Sequence, residues 1–224
     1  MAIGFRIEPR NWKTMPDLIE QFRKIPVANI SDVMNRMSAT ATRLRPYHDG
    51  SVMCGQALTV DSRPGDNLMV HKALHIAQPG DVLIVDAKGE LTNAIVGEFM
   101  IDEAKRAGVA GLVIDGAIRD VAAIRSGSMP VYAAGVTHRG PYKDGPGEVN
   151  VVVSVGGMVV KPGDIIVGDE DGVLAIPLEH AKDVLKAALA KQAAEQAQWI
   201  QVRAGTRDYS WIDDTLKKKG CLFS

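Results

Sequence analysis

Cysteine is almost missing from this 224-residue chain: Cys54 and Cys221 are the only two, and they stand far apart. Without a CxxC pair, neither a zinc ribbon nor a disulfide framework organises the fold, and two thiols suit a reducing cytosol. Aromatic residues are also scarce, at 5%, so the core has to be aliphatic. Neither sign of charge is in surplus: 26 Lys and Arg balance 27 Asp and Glu, for a formal net charge of −1. That balance argues against a nucleic-acid partner gripped by a broad positive field. No apolar run approaches the roughly 18 residues that a membrane-spanning helix requires. Met1–Arg6 leads into no apolar stretch of the secretory kind, so a cytoplasmic protein without a membrane partner is expected.

Glycine is abundant, and unevenly so. Sixteen of the 22 glycines fall from Gly80 to Gly172. Glycine permits backbone shapes and close approaches that other residues cannot, so the middle of the chain reads as turn-dense and able to hold a site. Around it the hydrophobic pattern alternates. Val82–Val85, Leu112–Ile114 and Val131–Ala133 read as buried strands, with helices expected over Ala94–Ala107 and Val121–Ile124. Strand, helix, strand, helix, strand argues for an α/β layer with parallel pairing. After Gly140, short strands separated by Gly-rich turns predict hairpins instead. The first fifty residues read as helical, with Ser31-Asp32 as the start of a helix over Val33–Met37. The Ala-, Lys-, Gln- and Glu-rich segment from Leu178 to about Ala204 predicts a long helix. These elements define one domain over residues 1–204, followed by a tail over 205–224. Eight of the eleven aromatics lie outside residues 51–198, so the aromatic-rich tail is expected to pack on something, such as another subunit. Pro-Gly-Asp occurs at residues 64–66, 79–81 and 162–164; the plain expectation is a Pro-Gly turn whose Asp ties its own backbone.

The sharpest segment is Gly111-Leu112-Val113-Ile114-Asp115-Gly116-Ala117-Ile118-Arg119-Asp120. A buried strand ends here and a turn presents Arg119 and Asp120, at the end of the strand where sites form in open α/β sheets. An aspartate can hold a divalent cation through hard oxygen ligands, and an arginine can grip a carboxylate or a developing oxyanion. A surface ion pair, or Asp120 acting only as a helix cap, accounts for the same two residues. A second segment, Lys88 to Met100, follows the Val82–Val85 strand and so belongs to the same rim. Gly97 leaves room for a ligand beside the backbone of Glu98-Phe99-Met100, where free amides at a helix start hold anions. Glu98 is either a metal ligand, direct or through water, or a solvated helix carboxylate.

Gly97-Glu98, Val113-Ile114-Asp115-Gly116, Arg119-Asp120, Arg139-Gly140-Pro141, Pro162-Gly163-Asp164 and Gly168-Asp169-Glu170-Asp171-Gly172-Val173 together resemble the RraA-like family. The likeness runs in order over roughly residues 25–205. The resemblance implies a swivelling β/β/α sandwich with a helical C-terminal extension. The family includes divalent-metal 4-hydroxy-4-methyl-2-oxoglutarate (4-carboxy-4-hydroxy-2-oxoadipate) aldolases with oxaloacetate decarboxylase activity, and also regulators of ribonuclease E activity. By resemblance to the aldolases, Asp120 matches the metal ligand, Arg119 the pyruvate-gripping arginine, and Gly97, Glu98, Phe99 and Met100 the turn whose amides hold the pyruvate carboxylate. Glu98 matches an acidic residue that contacts metal-bound water. Glu195 falls where aldolases place a carboxylate reaching into a neighbour's site. The resemblance further implies Mg²⁺ or Mn²⁺, a small keto-acid substrate, and a homotrimer or homohexamer with sites between subunits. The C-terminal helix favours the aldolases over the shorter regulators.

A Schiff-base lysine is the rival chemistry for an aldolase, and Lys88, at a strand end, is its best candidate. His71 and His75, at i and i+4, share one helical face and either bind a metal together or divide into one packed and one solvated ring; His71 can approach the same rim because Asp66-Asn67 opens its helix.

Overall fold

The computed structural model describes residues 3–223. By compactness the chain divides into Met1–Ala188 and Leu189–Ser224.

In the larger unit, β1 (Phe5–Ile7), α1 (Pro16–Phe22), α2 (Val27–Val33) and β2 (Arg45–Pro46) come first. Next are β3 (Met53–Ser62), α3 (Leu68–Ile76), β4 (Asp81–Val96), α4 (Glu98–Arg106), β5 (Gly111–Ile118), α5 (Val121–Ser126) and β6 (Val131–Val136). β7 (Gly147–Val149), β8 (Val153–Val155), β9 (Met158–Val160), β10 (Ile165–Asp169) and β11 (Gly172–Ile176) follow. The main sheet runs β1-β7-β3-β4-β5-β6-β2. Its centre, β3 to β6, is wholly parallel, as the strand–helix alternation requires. β3 divides its outer edge: Met53–Gln56 pairs with β10, while Val60–Ser62 pairs with β7. β10–β11 and β8–β9 are antiparallel hairpins, as the Gly-rich spacing predicts.

The central strands are apolar on both faces because both faces are covered. Leu83, Val85, Ile114 and Ala133 face α3, α4 and α5; Val82, Ile84, Val113 and Tyr132 face the β8–β9 layer. Each fully buried aliphatic side chain contributes roughly 1.5–3 kcal/mol, so a double-sided sheet builds a core without aromatics. A further cluster joins α1 and α2 to Ile165, Val167, Leu174 and Ile176 of the β10–β11 hairpin.

Two helix boundaries differ from expectation. β4 continues through Val96, where a helix from Ala94 was expected. Ala94, Ile95 and Val96 are buried, and Ala94 and Val96 pair with Ala117 and Ile118 of β5, so sheet pairing overrides the helical spacing. Phe99 is 79% exposed, and Met100, Ile101 and Ala104 carry the buried face of α4. Ser31-Asp32 does not open a helix but lies in the last turn of one that starts after Pro26, because burying Val27 and Ile30 fixes α2 earlier. Asn35 and Arg36 then take left-handed φ values of 57° and 62°, which end it.

All three Pro-Gly-Asp aspartates are buried and tie backbone, as expected. Asp81 accepts the Gln78 amide (2.8 Å), and Asp164 accepts those of Lys161 (2.8 Å) and Leu178 (3.3 Å). Asp66 reaches further: Oδ1 accepts the Leu68 amide (2.9 Å), while Oδ2 accepts those of Asp144 (2.7 Å) and Gly145 (2.9 Å).

From Ala181 the chain forms α6 (Ala181–Ala204) and then α7 (Ser210–Lys218), within the expected tail. Trp199, Ile200, Tyr209, Trp211, Leu222 and Phe223 are exposed. Among the described residues, no helix is long and apolar enough to cross a membrane.

Candidate active site

The site lies at the carboxyl ends of β4 and β5, the crevice position of parallel α/β sheets. Two turns meet there. The β4–α4 turn places Gly97 as the cap residue of α4, so Glu98, Phe99 and Met100 form its first turn. Their amides cannot find acceptors within their own helix. The Glu98 amide donates to Asp120 Oδ2 at 3.0 Å, which leaves those of Phe99 and Met100 as the donors of this turn. The β5–α5 turn places Arg119 and Asp120. The Arg119 amide donates to Val96 O at 3.0 Å, so the two turns are stitched together by backbone before any side chain contributes.

Asp120 adopts φ 61° and ψ 37°, the left-handed region that side chains rarely occupy. The Glu98 hydrogen bond and the start of α5 hold it there, the kind of local strain found at functional positions. Arg119 Nε stands 3.7 Å from Asp120 Oδ2, and the two side chains are 45% and 43% exposed, so the pair itself is weak. Arg119 is instead framed by packing: a Cβ at Gly140 would sit 3.2 Å from its Nη1, which brings the Arg139-Gly140-Pro141 loop over it. That loop is fixed to β4 by the Ala94 amide donating to Arg139 O (2.9 Å) and by Asn93 Nδ2 donating to Gly140 O (2.6 Å).

These elements enclose a cavity of about 240 Å³. Gly97, Phe99, Met100, Arg119 and Asp120 line it, with Asn67, His71, Pro141 and Lys143. It lies below the roughly 300–1,000 Å³ of sites for drug-sized ligands and suits a small acid. Asn67 is buried, and its Nδ2 donates to Ile95 O at 2.9 Å, fastening the start of α3 to the end of β4. Burial pushes the His71 imidazole below its ordinary value; the charge of Lys143 adds to this and Glu103 opposes it.

Five of the seven residues expected in the site thus share one cavity. Glu98 is exposed beside it, with its backbone in the turn. Glu195 lies in the Leu189–Ser224 unit, where it pairs with Lys191 at 2.9 Å and lines a recess with Trp199, Arg207 and Tyr209. Asn67 and Lys143 were not among the residues expected in the site; the Asp66 contacts to Asp144 and Gly145 bring their two segments together.

Among the described residues no three His, Cys, Asp or Glu side chains group as a metal site. A zinc-type site, which takes three or four protein ligands, does not match. Asp120 Oδ1 has no hydrogen-bond partner among the described residues, and the Glu98 carboxylate is in the adjoining turn. One or two carboxylates with open positions fit a hard cation that keeps waters and takes further oxygens from its substrate.

Lys88 does not suit Schiff-base chemistry. Burial pushes its ammonium down, but hydrogen bonds to Asp61 (2.6 Å) and Asp86 (2.9 Å) outweigh this and hold it above the ordinary lysine value. A charged, doubly paired amine is a poor nucleophile.

The fold and this rim define an RraA-like protein. The chain belongs to that family, whose model, described as Aldolase/RraA, matches residues 27–175. A Halalkalibacterium halodurans protein provisionally named 4-hydroxy-4-methyl-2-oxoglutarate aldolase is 44% identical over 181 residues, covering 81% of this chain and 86% of that one. The crystal structure of Streptomyces coelicolor RraAS2, described as an unusual member of the RNase ES inhibitor RraA family, is 25% identical with a TM-score of 0.76, covering 84% of this chain and 98% of that one. The RNA-processing inhibitor RraA from Thermus thermophilis is 31% identical with a TM-score of 0.64, covering 69% of this chain and 93% of that one.

Proposed function

We propose that the protein is a divalent-metal aldolase that cleaves 4-hydroxy-4-methyl-2-oxoglutarate or 4-carboxy-4-hydroxy-2-oxoadipate to pyruvate and a second keto acid, and that it decarboxylates oxaloacetate. The observation that carries this reading is the convergence of the first-turn amides of α4, Arg119 and Asp120 on one small cavity. The 44% identity to an aldolase-named relative supports it over a purely regulatory role.

The Phe99 and Met100 amides bind the 2-oxo-acid carboxylate at the positive end of α4. Arg119 donates to the keto oxygen, where negative charge grows as the C3–C4 bond breaks. Asp120, with Glu98 nearby, would hold Mg²⁺ or Mn²⁺, which when bound supplies Lewis-acid polarisation of that oxygen. The C4 hydroxyl loses its proton to a water positioned by Glu98 and by Glu195 of a neighbouring copy, and the bond's electron pair becomes the enolate of pyruvate. The same water returns that proton to C3, which completes pyruvate. Loss of CO₂ from oxaloacetate gives the same enolate. The homotrimer or homohexamer implied by the family would supply that neighbour.

The test is pyruvate release with metal removal. EDTA should abolish it and Mg²⁺ or Mn²⁺ restore it, while Asp120→Asn should fold normally and lose about a hundredfold or more, since even outer partners of metal ligands cost about ten- to a hundredfold. Turnover that survives EDTA and is trapped by borohydride would establish a Schiff base instead.

A further inference from the structure

A second cavity, of about 360 Å³, lies in the larger unit and shares no lining residue with the first. Its walls are Glu8, Pro9, Asn11 and Trp12 of the β1–α1 connection, Asn150 after β7, and Pro162 of the third Pro-Gly-Asp turn. Asn150 is 8% exposed and holds a left-handed φ of 60°. Its backbone amide donates to Thr59 O (2.9 Å) and its Nδ2 to Glu8 O (2.8 Å), which orients the side chain and leaves Oδ1 over. Trp12 lies against Gly163, where an added Cβ would stand 2.6 Å from its Cγ, and the Arg10 guanidinium covers its ring at 4.3 Å. Buried Gln56 ties this wall together: Nε2 donates to Lys13 O and Gly163 O (both 3.1 Å), and Oε1 accepts the Met15 amide (3.0 Å). Two polar atoms here are buried with no hydrogen-bond partner among the described residues, Trp12 Nε1 and Asn150 Oδ1. The first can only donate and the second only accept. Unpaired buried atoms are costly, and folds retain them where water or a ligand completes them. The cavity is far larger than one water requires, and it falls within the roughly 300–1,000 Å³ of ligand sites. Arg10 is paired with Asp81, and Glu8 with Arg6 (3.2 Å), so neither brings a free charge to it.

We propose that this cavity is a second binding site, for a small uncharged carboxamide. The carboxamide oxygen accepts from Trp12 Nε1, one amide N–H donates to Asn150 Oδ1, and the apolar part of the ligand rests on Pro9 and Pro162. One donor and one acceptor on the same carbon match the two unpaired atoms, and the missing charge sets this ligand class apart from the anionic keto acids of the first cavity. Both protein atoms are closed to water in this conformation. Among the described residues no backbone hydrogen bond holds Pro9 to Trp12, and Pro9 and Asn11 are exposed, so this stretch moves aside to admit the ligand.

An NMR titration of the whole, isotope-labelled protein with benzamide tests this. The chain has three tryptophans, and Trp12→Phe, which keeps a ring but loses the N–H, identifies the Trp12 indole resonance. Benzamide should shift that resonance and leave those of Trp199 and Trp211 in place. Benzoate, which is charged, and N,N-dimethylbenzamide, which keeps the oxygen but has no N–H, should each bind about tenfold or more weakly than benzamide. By calorimetry, Trp12→Phe should weaken benzamide about ten- to a hundredfold. A Trp12 resonance that responds to none of the three compounds overturns the site and leaves the two atoms to ordered water. Equal binding of benzamide and N,N-dimethylbenzamide by the wild type, or unchanged benzamide affinity in Trp12→Phe, overturns the carboxamide assignment.

Discussion

Gly97 shows how a single missing side chain shapes the site. Its φ of −141° is ordinary extended backbone, so conformation does not demand glycine there. Space does: an added Cβ would collide with Asp120 Oδ2 and stand 2.9 Å from Arg119 Cγ. The Asp120 carboxylate can swing aside, but only by leaving the Glu98 amide that orients it. Gly97→Ala should therefore fold with a melting temperature close to wild type and lose about a hundredfold in kcat/KM, the scale of a 1 Å misplacement. Unchanged turnover would show that Asp120 works from another orientation. The importance of Gly97 was legible in the sequence from its place before Glu98, but the reason was not, because the colliding atoms come from a different turn. Glu98 was legible as an acid, whereas its amide turns out to be what fixes Asp120.

At the scale of elements, β3, β4 and β5 carry a row of aspartates. Asp61 is opposite Asp86, and Asp86 is opposite Asp115. Lys88 pairs with the first two, and Arg43 with Asp115 at 2.8 Å. Asp115 also accepts the Gly156 amide (2.7 Å) and Asp86 the Ser154 amide (3.4 Å), so this charged row docks the β8–β9 hairpin on the sheet. Like charges on adjacent strands are tolerated only because these cations intervene. Lys88 titrates above the ordinary 10.5 when folded. Its stabilising contribution is thus complete below about pH 10.5 and is lost as pH climbs through the raised folded value. The melting-temperature difference between wild type and Lys88→Met should be constant at neutral pH and shrink above about pH 10.5; a difference independent of pH would mean that the pairs do not matter. The strands themselves were legible as apolar runs, and the sheet's parallel centre as strand–helix alternation. The end of β4 was not: Ala94-Ile95-Val96 suits either helix or strand locally, and pairing with β5 decided it.

At the scale of the whole molecule, the composition separates an aliphatic body from an aromatic end, and Trp199, Tyr209, Trp211 and Phe223 remain exposed in the Leu189–Ser224 unit. Exposed apolar clusters of this kind mark interaction surfaces. Sedimentation should find three or six chains, and Trp199→Ala with Trp211→Ala should shift the protein toward smaller species. If Glu195 serves a neighbour's site, mixing Glu195→Gln and Arg119→Met chains should recover up to about a quarter of wild-type turnover, because some sites then receive both intact residues. No recovery would place Glu195 in the site of its own chain.

The sequence by itself determined the aliphatic α/β body, the hairpins after Gly140, the long Ala-rich helix and the pairing of Arg119 with Asp120 at a strand end. All of these rest on periodicity, propensity and turn chemistry, which act over a few residues. Only the tertiary structure decided that the β4–α4 turn, the β5–α5 turn and the Lys143 loop close around one cavity. That depends on backbone bonds between distant segments, Arg119 to Val96, Ala94 to Arg139 and Asp144 to Asp66, and on the burial of Asp66 that holds the last of them. Local spacing carries no record of which buried carboxylate will reach which loop.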